Sequence, residues 1–528
     1  MNSYSKLVLS LLMIVSVQSF SQKPQTIPNF YTNPIIAGMN PDPSICRVKD
    51  DYYLVTSTFY WFPGVPIYHS KDLINWELIG YALSTKSQLN LDKGTGIYAA
   101  TIRYNEGKFY VITTNRRNGE NFFVSASDIK GPWSDPIWVD QRGIDPSLYF
   151  ENGKVYCTST ISDGIIQTEI DINTGKLLTE PKLIWRGSGI RSQEGPHLYK
   201  IKGLYYLLVS EGGTEYGHLV SMTRSTSPWG PFELCPNNPI LSQRNRNTQS
   251  ALIQGSGHAD LVDAVDGSWW MVFLAFRQIA SHHHLGRETF LTPVSWTSTG
   301  WPLVPFDGTA QAENYTKTLP LHPFAEVPEK DEFNNDKLDL NWNFFRNPLP
   351  NSWSLTERKG FLRIRGMKGN LDSTFTAQYI GQRQKYFDCV ATTSIDFDPK
   401  KENEEAGLSV YHRNDGHYDL FIRKKGPDRE LVLRYTLGKI HHEEKRIPLK
   451  KGNVQLRVET NKTTFSFYYT QGSEYTLMGS ADAKFLSSET LVTFTGVFLG
   501  MYAAGNDHDA ETPADFDWFE IKPLIAQK

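Results

Sequence analysis

Asp145-Pro-Ser-Leu-Tyr-Phe-Glu-Asn-Gly-Lys-Val-Tyr156 is the stretch that decides the fold. It opens as a strand on Asp-Pro, turns tightly at Asn152-Gly153, and returns as a second strand from Val155; Asn-Gly between apolar runs is a strong hairpin signal. The same unit occurs at four other places. Asp42-Pro-Ser-Ile is followed by Asp50-Asp51 and Tyr52-Tyr-Leu-Val55, and Ala99-Ala-Thr-Ile by Glu106-Gly107 and Phe109-Tyr-Val111. Glu194-Gly-Pro-His-Leu-Tyr is followed by Lys202-Gly203 and Tyr205-Tyr-Leu-Leu208, and His258-Ala-Asp-Leu-Val by Asp266-Gly267 and Trp269-Trp-Met-Val272. Ser70-Lys-Asp-Leu-Ile-Asn-Trp76 adds a later element, echoed loosely by Ser127-Asp-Ile-Lys-Gly-Pro-Trp133 and Ser225-Thr-Ser-Pro-Trp-Gly-Pro-Phe232. Five units at a period of about 50 residues predict a five-bladed β-propeller, each blade a four-stranded sheet. A β-sandwich also gives evenly spaced hairpins, but has no reason to repeat one starting position five times.

Outward from the repeats the chain divides into four parts. Residues 1–21 read as a secretory signal. Lys6 supplies a positive start, Leu7 to Val17 an apolar core too short to span a bilayer, and Ser19 and Ser21 the small residues before a mature terminus at Gln22. The propeller is expected over 22–310. Residues 311–330 bear prolines and no hairpin period, and read as a linker or a segment wrapped on the propeller. From Asp331 the pattern changes. Phe361-Leu-Arg-Ile-Arg365, Val454-Gln-Leu-Arg-Val458, Thr464-Phe-Ser-Phe-Tyr-Tyr-Thr470 and Phe516-Asp-Trp-Phe-Glu-Ile521 alternate in polarity, which predicts a C-terminal β-sandwich over 331–528. The expected fold class is all-β.

The 54 Lys and Arg against 57 Asp and Glu leave a formal net charge of −3. Such a chain has no global field to attract nucleic acid or an anionic membrane. No cysteine follows the apolar leader, the first being Cys46, so no membrane anchor is expected and a soluble periplasmic or secreted protein is. Cys46, Cys157, Cys235 and Cys389 have no C-x-x-C spacing and read as buried small hydrophobes rather than a zinc or redox motif.

In a propeller the innermost strand of every blade faces the axis, so residues that start those strands converge at one mouth of the channel. In the sequence register these are Asp42, Ala99, Asp145, Glu194 and His258. Like charges gathered in a desolvated pit repel, and at least one pKa rises. A protonated carboxyl beside an ionised one is what glycoside hydrolysis uses. Two other readings stand beside it. Asp-Pro is also turn chemistry, and a set of Asp, Glu and His at a pore can hold Ca²⁺.

Asn40-Pro-Asp-Pro-Ser, Gly143-Ile-Asp-Pro-Ser and Gln193-Glu-Gly-Pro-His resemble the three acidic motifs of glycoside hydrolase family 43. The resemblance runs on through Trp61-Phe-Pro-Gly-Val65, Gly255-Ser-Gly-His-Ala259, Leu285-Gly-Arg-Glu-Thr289, Phe494-Thr-Gly-Val-Phe-Leu-Gly500 and Pro513-Ala-Asp-Phe516. It points to the two-domain branch of β-xylosidases and α-L-arabinofuranosidases. It implies an inverting, exo-acting glycosidase with Asp42 as general base, Glu194 as general acid, and Asp145 tuning and orienting Glu194. Repulsion from Asp145 is expected to keep Glu194 protonated. Trp61, Tyr98, His258 and Arg287 are the expected substrate-binding residues, with core packing as the alternative for Trp61. No cofactor is required, and a structural Ca²⁺ near His258 is an option. His282-His283-His284 is expected in an exposed loop without an acidic partner.

Two departures bear on the substrate. Many xylosidases of that branch carry Trp-Ala-Pro where this chain has Tyr98-Ala-Ala100, and an acidic residue where it has Tyr60. Both favour release of terminal α-L-arabinofuranosyl units from hemicellulose-derived oligosaccharides over release of xylose. A non-catalytic carbohydrate-binding protein is the expectation from another class, and Glu194→Gln separates it from the enzymes.

Overall fold

The computed structural model describes residues 30–91, 96–115, 120–247, 250–373 and 378–524. The leader read over 1–21 lies outside them. Five sheets follow the five sequence units. Blade one runs Ser44–Val48, Asp51–Val55, Gly64–Ser70 and Glu77–Leu83. The innermost strands of the next four blades are Ile97–Asn105, Ile144–Glu151, Glu194–Ile201 and Ile253–Asp263. Each pairs antiparallel with the strand after its turn. The turn residues carry the backbone that such short connections require: Asn152 and Gly153 have φ 51° and 74°, Lys202 and Gly203 49° and 87°.

The propeller core is a ring of apolar slabs between neighbouring blades. Val55, Ile67, Ile102 and Val111 join blades one and two, and Ile112, Phe123, Leu148 and Cys157 join two and three. Ile165, Leu198 and Leu207 join three and four, Leu208, Met222, Met271 and Phe273 join four and five, and Tyr52, Leu54, Val272 and Leu291 close five onto one. Because both faces of every blade are covered, middle strands such as Leu204–Glu211 are almost continuously buried instead of alternating. All four cysteines are buried and free.

The ring is tied shut from outside. Phe30–Thr32 pairs with Glu313–Tyr315, and the Asn33 amide group donates to the Leu291 carbonyl and accepts from the Leu291 N–H, each at 2.9 Å. The segment 311–330 therefore wraps the propeller: Leu319 enters the slab between blades five and one, and the His322 N–H donates to Asp72.

The second unit is two packed sheets, antiparallel but for the short pairing of Met367–Lys368 with Phe498–Asn506, around one core that includes Leu362, Ile395, Leu408, Leu456 and Phe516. One sheet is completed by the propeller. Trp61–Phe62, a two-residue strand from a loop of blade one, pairs with Asn343–Phe345. Trp61 is fully buried and stacks on Phe498 with ring centroids 3.5 Å apart. Tyr379 and Tyr411 meet its edges. No helix among the described residues is long and apolar enough to cross a membrane.

Candidate active site

Four of the five innermost strands bulge at the channel mouth. Pairing skips from Ile97 to Ala100 in blade two, Ile144 to Ser147 in blade three, Glu194 to His197 in blade four, and Gly257 to Asp260 in blade five. A bulge re-aims side chains toward a site. The equivalent positions, two residues before the pairing resumes, are Asp42, Tyr98, Asp145, Gly195 and His258. Asp42, Asp145, Gly195 and His258 all take positive φ, between 45° and 58°, a region that Asp and His tolerate better than most side chains. This corrects the sequence register in two blades. Tyr98, not Ala99, occupies the position in blade two, and Glu194 stands one residue before it in blade four, paired with Ser210. Gly195 is required where it is: a Cβ there would lie 3.0 Å from the His258 ring.

The pit has a volume of about 180 Å³ and is lined by Asp42, Tyr98, Asp145, Glu194, His258 and Arg287, with Phe59, Ala99, Ile144, Thr214 and Phe494. That is below the ~300 Å³ at which pockets for drug-sized ligands begin, and suits one small polar unit. Arg287 Nη1 donates to Asp42 Oδ1 at 2.8 Å and to the Thr214 hydroxyl at 2.8 Å. The Ser57 hydroxyl donates to Asp42 Oδ2, and His258 Nδ1 stands 3.8 Å from Asp42 Oδ1. Burial alone would raise Asp42, but Arg287, His258 and Ser57 outweigh it and hold the carboxyl below the ordinary range.

Asp145 and Glu194 differ from this. Burial, then the charges of Glu194 and Asp42, raise Asp145 well above the ordinary range, although the Gly195 N–H donates to its Oδ2 at 3.2 Å. Burial opposes ionised Glu194 too, but His218, with Nε2 3.1 Å from Glu194 Oε1, and then His258 draw it below. The two carboxyls lean the opposite way from the sequence expectation: burial and the neighbouring carboxylates favour the protonated form of Asp145, and His218 favours the ionised form of Glu194. Asp42, which Arg287 holds in its ionised form, thus faces a carboxyl pair in which Asp145 favours its proton.

Residues 31–302 match the family model described as glycosyl hydrolases family 43, and residues 330–522 match the β-xylosidase C-terminal concanavalin A-like domain. The chain belongs to glycoside hydrolase family 43. A non-reducing end α-L-arabinofuranosidase of Bacteroides ovatus is 45% identical over 94% of this chain and 95% of its own. A xylosidase/arabinosidase of Butyrivibrio fibrisolvens is 37% identical over 93% and 99%. Among solved structures, a Bacteroides ovatus protein titled xyloglucan PUL GH43B superposes with a TM-score of 0.91 at 44% identity, covering 94% of this chain and 100% of its own. A xylan β-1,4-xylosidase of Bacillus halodurans gives 0.88 at 36%, covering 93% and 100%.

Within this family 43 site, Asp42, Asp145, Glu194, Tyr98, His258 and Arg287 come together. Trp61 does not. It is walled into the domain junction and presents no face to a sugar, because its strand is hydrogen-bonded into the sandwich sheet. Tyr60 also faces that junction, over Phe345 and Arg346. The histidine triplet is no exposed loop: His283 and His284 are buried, and His283 Nδ1 lies 2.6 Å from Glu489 Oε1. Near His258, Asp42 already accepts from Arg287 and Ser57. The axis below is filled by the Arg103 guanidinium, 2.8 Å from buried Asp260. No group of three His, Cys, Asp or Glu among the described residues is placed to hold a metal ion.

Sequence reasoning missed His218, Phe59, Thr214 and the pocket role of Phe494. Phe494 comes from the sandwich, stacks on Phe59 at 6.2 Å, and its carbonyl accepts from Arg287 Nε at 3.4 Å.

Proposed function

We propose that this chain is an inverting, exo-acting α-L-arabinofuranosidase that removes terminal non-reducing arabinofuranosyl units from hemicellulose-derived oligosaccharides. The observation that carries the reaction class is the gathering of three carboxyls in one small pit, with Asp42 accepting from Arg287 at 2.8 Å while Asp145 accepts only from the Gly195 N–H at 3.2 Å beside Glu194. Asp42 takes a proton from water as the water attacks the anomeric carbon. Glu194 gives a proton to the departing glycosidic oxygen. Asp145 is the reservoir beside it: as Glu194 protonates the leaving group, the pair is left with both carboxyls ionised until it takes a proton from solvent. Before that step the proton passes from Asp145 to Glu194, and the Gly195 N–H stabilises the ionised Asp145 left behind. His218 Nδ1–H donates to the Gly255 carbonyl at 3.3 Å, and its Nε2 stands 3.1 Å from Glu194 Oε1, so the ring fixes the orientation of that carboxyl.

The small volume, about 180 Å³, supports exo attack, since a pit of that size walled on one side by Phe494 suits a chain end. The arabinose preference rests on the Bacteroides ovatus relative and on Tyr98 at the pocket wall. Release of terminal xylose is the second reading, favoured by the xylosidases among the relatives. Export through the leader at 1–21 would place the enzyme in the periplasm or outside the cell. The test is a panel of nitrophenyl glycosides and natural oligosaccharides, with NMR of the first product. Monosaccharide with inverted anomeric configuration, lost in Glu194→Gln on natural substrates, is expected. Retention, or mixed oligosaccharides from long chains, refutes the mechanism or the exo reading respectively.

A further inference from the structure

Glu489 lies in the sandwich, on the short helix Ser488–Leu491 that precedes Phe494. Its carboxylate collects three donors from two propeller loops. The His283 N–H donates to Oε2 at 2.9 Å and His283 Nδ1 lies 2.6 Å from Oε1. The Tyr216 hydroxyl donates to Oε1 at 2.9 Å. Each of these loops delivers part of the pit. Four residues after His283 comes Arg287, which holds Asp42. Two residues before Tyr216 comes Thr214, bonded to Arg287, and two after it comes His218, against Glu194. Between the two loops, the rings of His283 and Phe276 stack at 3.9 Å, and Tyr216 meets the same Phe276 edge-on at 5.2 Å.

The backbones around this carboxylate leave little room to shift. The Ser488 N–H donates to the His283 carbonyl at 3.0 Å and the Val497 N–H to the His284 carbonyl at 2.9 Å. Gly286 and Gly496 abut, so that a Cβ on Gly496 would stand 2.4 Å from the Leu285 carbonyl oxygen. Eight residues of sandwich between these two anchors carry Phe494 over the pit. The hydrogen-bonded tie that joins this span to both catalytic loops at once is Glu489.

We infer that Glu489 is a positioning residue for the reaction, and that it sets substrate fit by fastening the Phe494 span to the His283 and Tyr216 loops, which holds the Phe494 ring against the pit. It touches no substrate; it acts through Phe494. The inference rests on the proposed glycosidase activity. Replacing a carboxylate by an amide turns one acceptor into a donor that faces donors, so Glu489→Gln breaks the tie with little change in volume.

The test is a double-substitution cycle on the full chain with an aryl α-L-arabinofuranoside, preceded by the wild type. Wild type that hydrolyses neither this substrate nor the aryl β-xyloside refutes the glycosidase reading and this inference with it. With active wild type, Glu489→Gln should lower kcat/KM roughly tenfold, mainly through KM, with an unmoved pH profile of kcat. Phe494→Ala should cost at least as much. Glu489→Gln with Phe494→Ala should then lose no more than Phe494→Ala alone, since the tie acts through the ring. Tyr216→Phe, which removes one donor and leaves the fold intact, should move KM in the same direction by a smaller factor. Multiplying losses in the double variant, or a fall in melting temperature with KM unchanged in both Glu489→Gln and Tyr216→Phe, overturns the inference.

Discussion

Arg287→Met is the substitution that most directly tests the electrostatics of the pit. Arg287 and Asp42 are each only 5% exposed at the side chain and meet at 2.8 Å. Without the guanidinium, Asp42 keeps the Ser57 hydroxyl and a histidine 3.8 Å away, while burial continues to oppose its charge. A hydrogen bond to a charged group contributes about 1.5–3 kcal/mol, and one pKa unit corresponds to about 1.4 kcal/mol. Losing the guanidinium should therefore raise the carboxyl's pKa. A base whose pKa rises moves the acid limb of kcat/KM to higher pH. The sign for stability follows from the same shift. In the wild type Asp42 is held below its unfolded value, so it stabilises the fold above that value and loses the contribution as pH falls through the folded one. In the variant that contribution shrinks or inverts. Because Arg287 also grips Thr214 and the Phe494 carbonyl, kcat/KM at neutral pH should drop by roughly 10² or more. The assay is kcat/KM between pH 3 and 9, with circular dichroism to establish folding. A folded variant whose acid limb is unmoved, or whose loss is under threefold, refutes the assignment of Arg287 as the group that keeps Asp42 ionised.

Glu194→Gln should lose far more activity on natural oligosaccharides than on a nitrophenyl glycoside, because a nitrophenolate leaves without protonation; equal losses on both would remove Glu194 from the acid role. Trp61→Ala should cost about 3–5 kcal/mol by emptying the domain junction, read as a fall in melting temperature, and a KM effect without loss of stability would restore the sugar-stacking role. His417, buried between Asp419 and Asp372, is opposed by burial but raised to about 9 by those carboxylates. Its stabilisation is complete below about 6.5 and is lost as pH rises through about 9, so the melting temperature should fall between pH 7 and 10 in the wild type and fall less in His417→Asn.

The blades were legible because their signals are local. Asn152-Gly153 or Lys202-Gly203 between aromatic runs admits few backbones, and the period counts the blades. The three acids were legible for the same reason, since each lies at the start of an innermost strand or just before it. What escaped lies in the pairing between strands. Nothing in Gln193-Glu-Gly-Pro-His shows that the strand bulges at Gly195 and sets Glu194 one place off the register of Asp42 and Asp145. His218 lies 24 residues from Glu194 on another strand's approach, with no motif around it. The triplet at 282–284 looked solvated because its acidic partner, Glu489, lies some 200 residues away. Trp61 misleads for a related reason: an aromatic beside a pocket motif reads as a platform until the strand it pairs with, Asn343–Phe345, is known.

That shared strand also sets a timetable for synthesis. Trp61 and Phe62 leave the ribosome early, yet the residues they pair with, Phe345 and Phe344, are made more than 280 residues later. At about 5–20 residues per second, blade one waits on the order of 15–60 s with an indole and an open strand edge facing solvent. A nascent chain in that interval is exposed to wrong pairing with its neighbours on the same message. The docking that finally covers Trp61 with Phe498 also brings Phe494 over the pit, so a chain stalled before its second domain is at once sticky and incomplete at its active site.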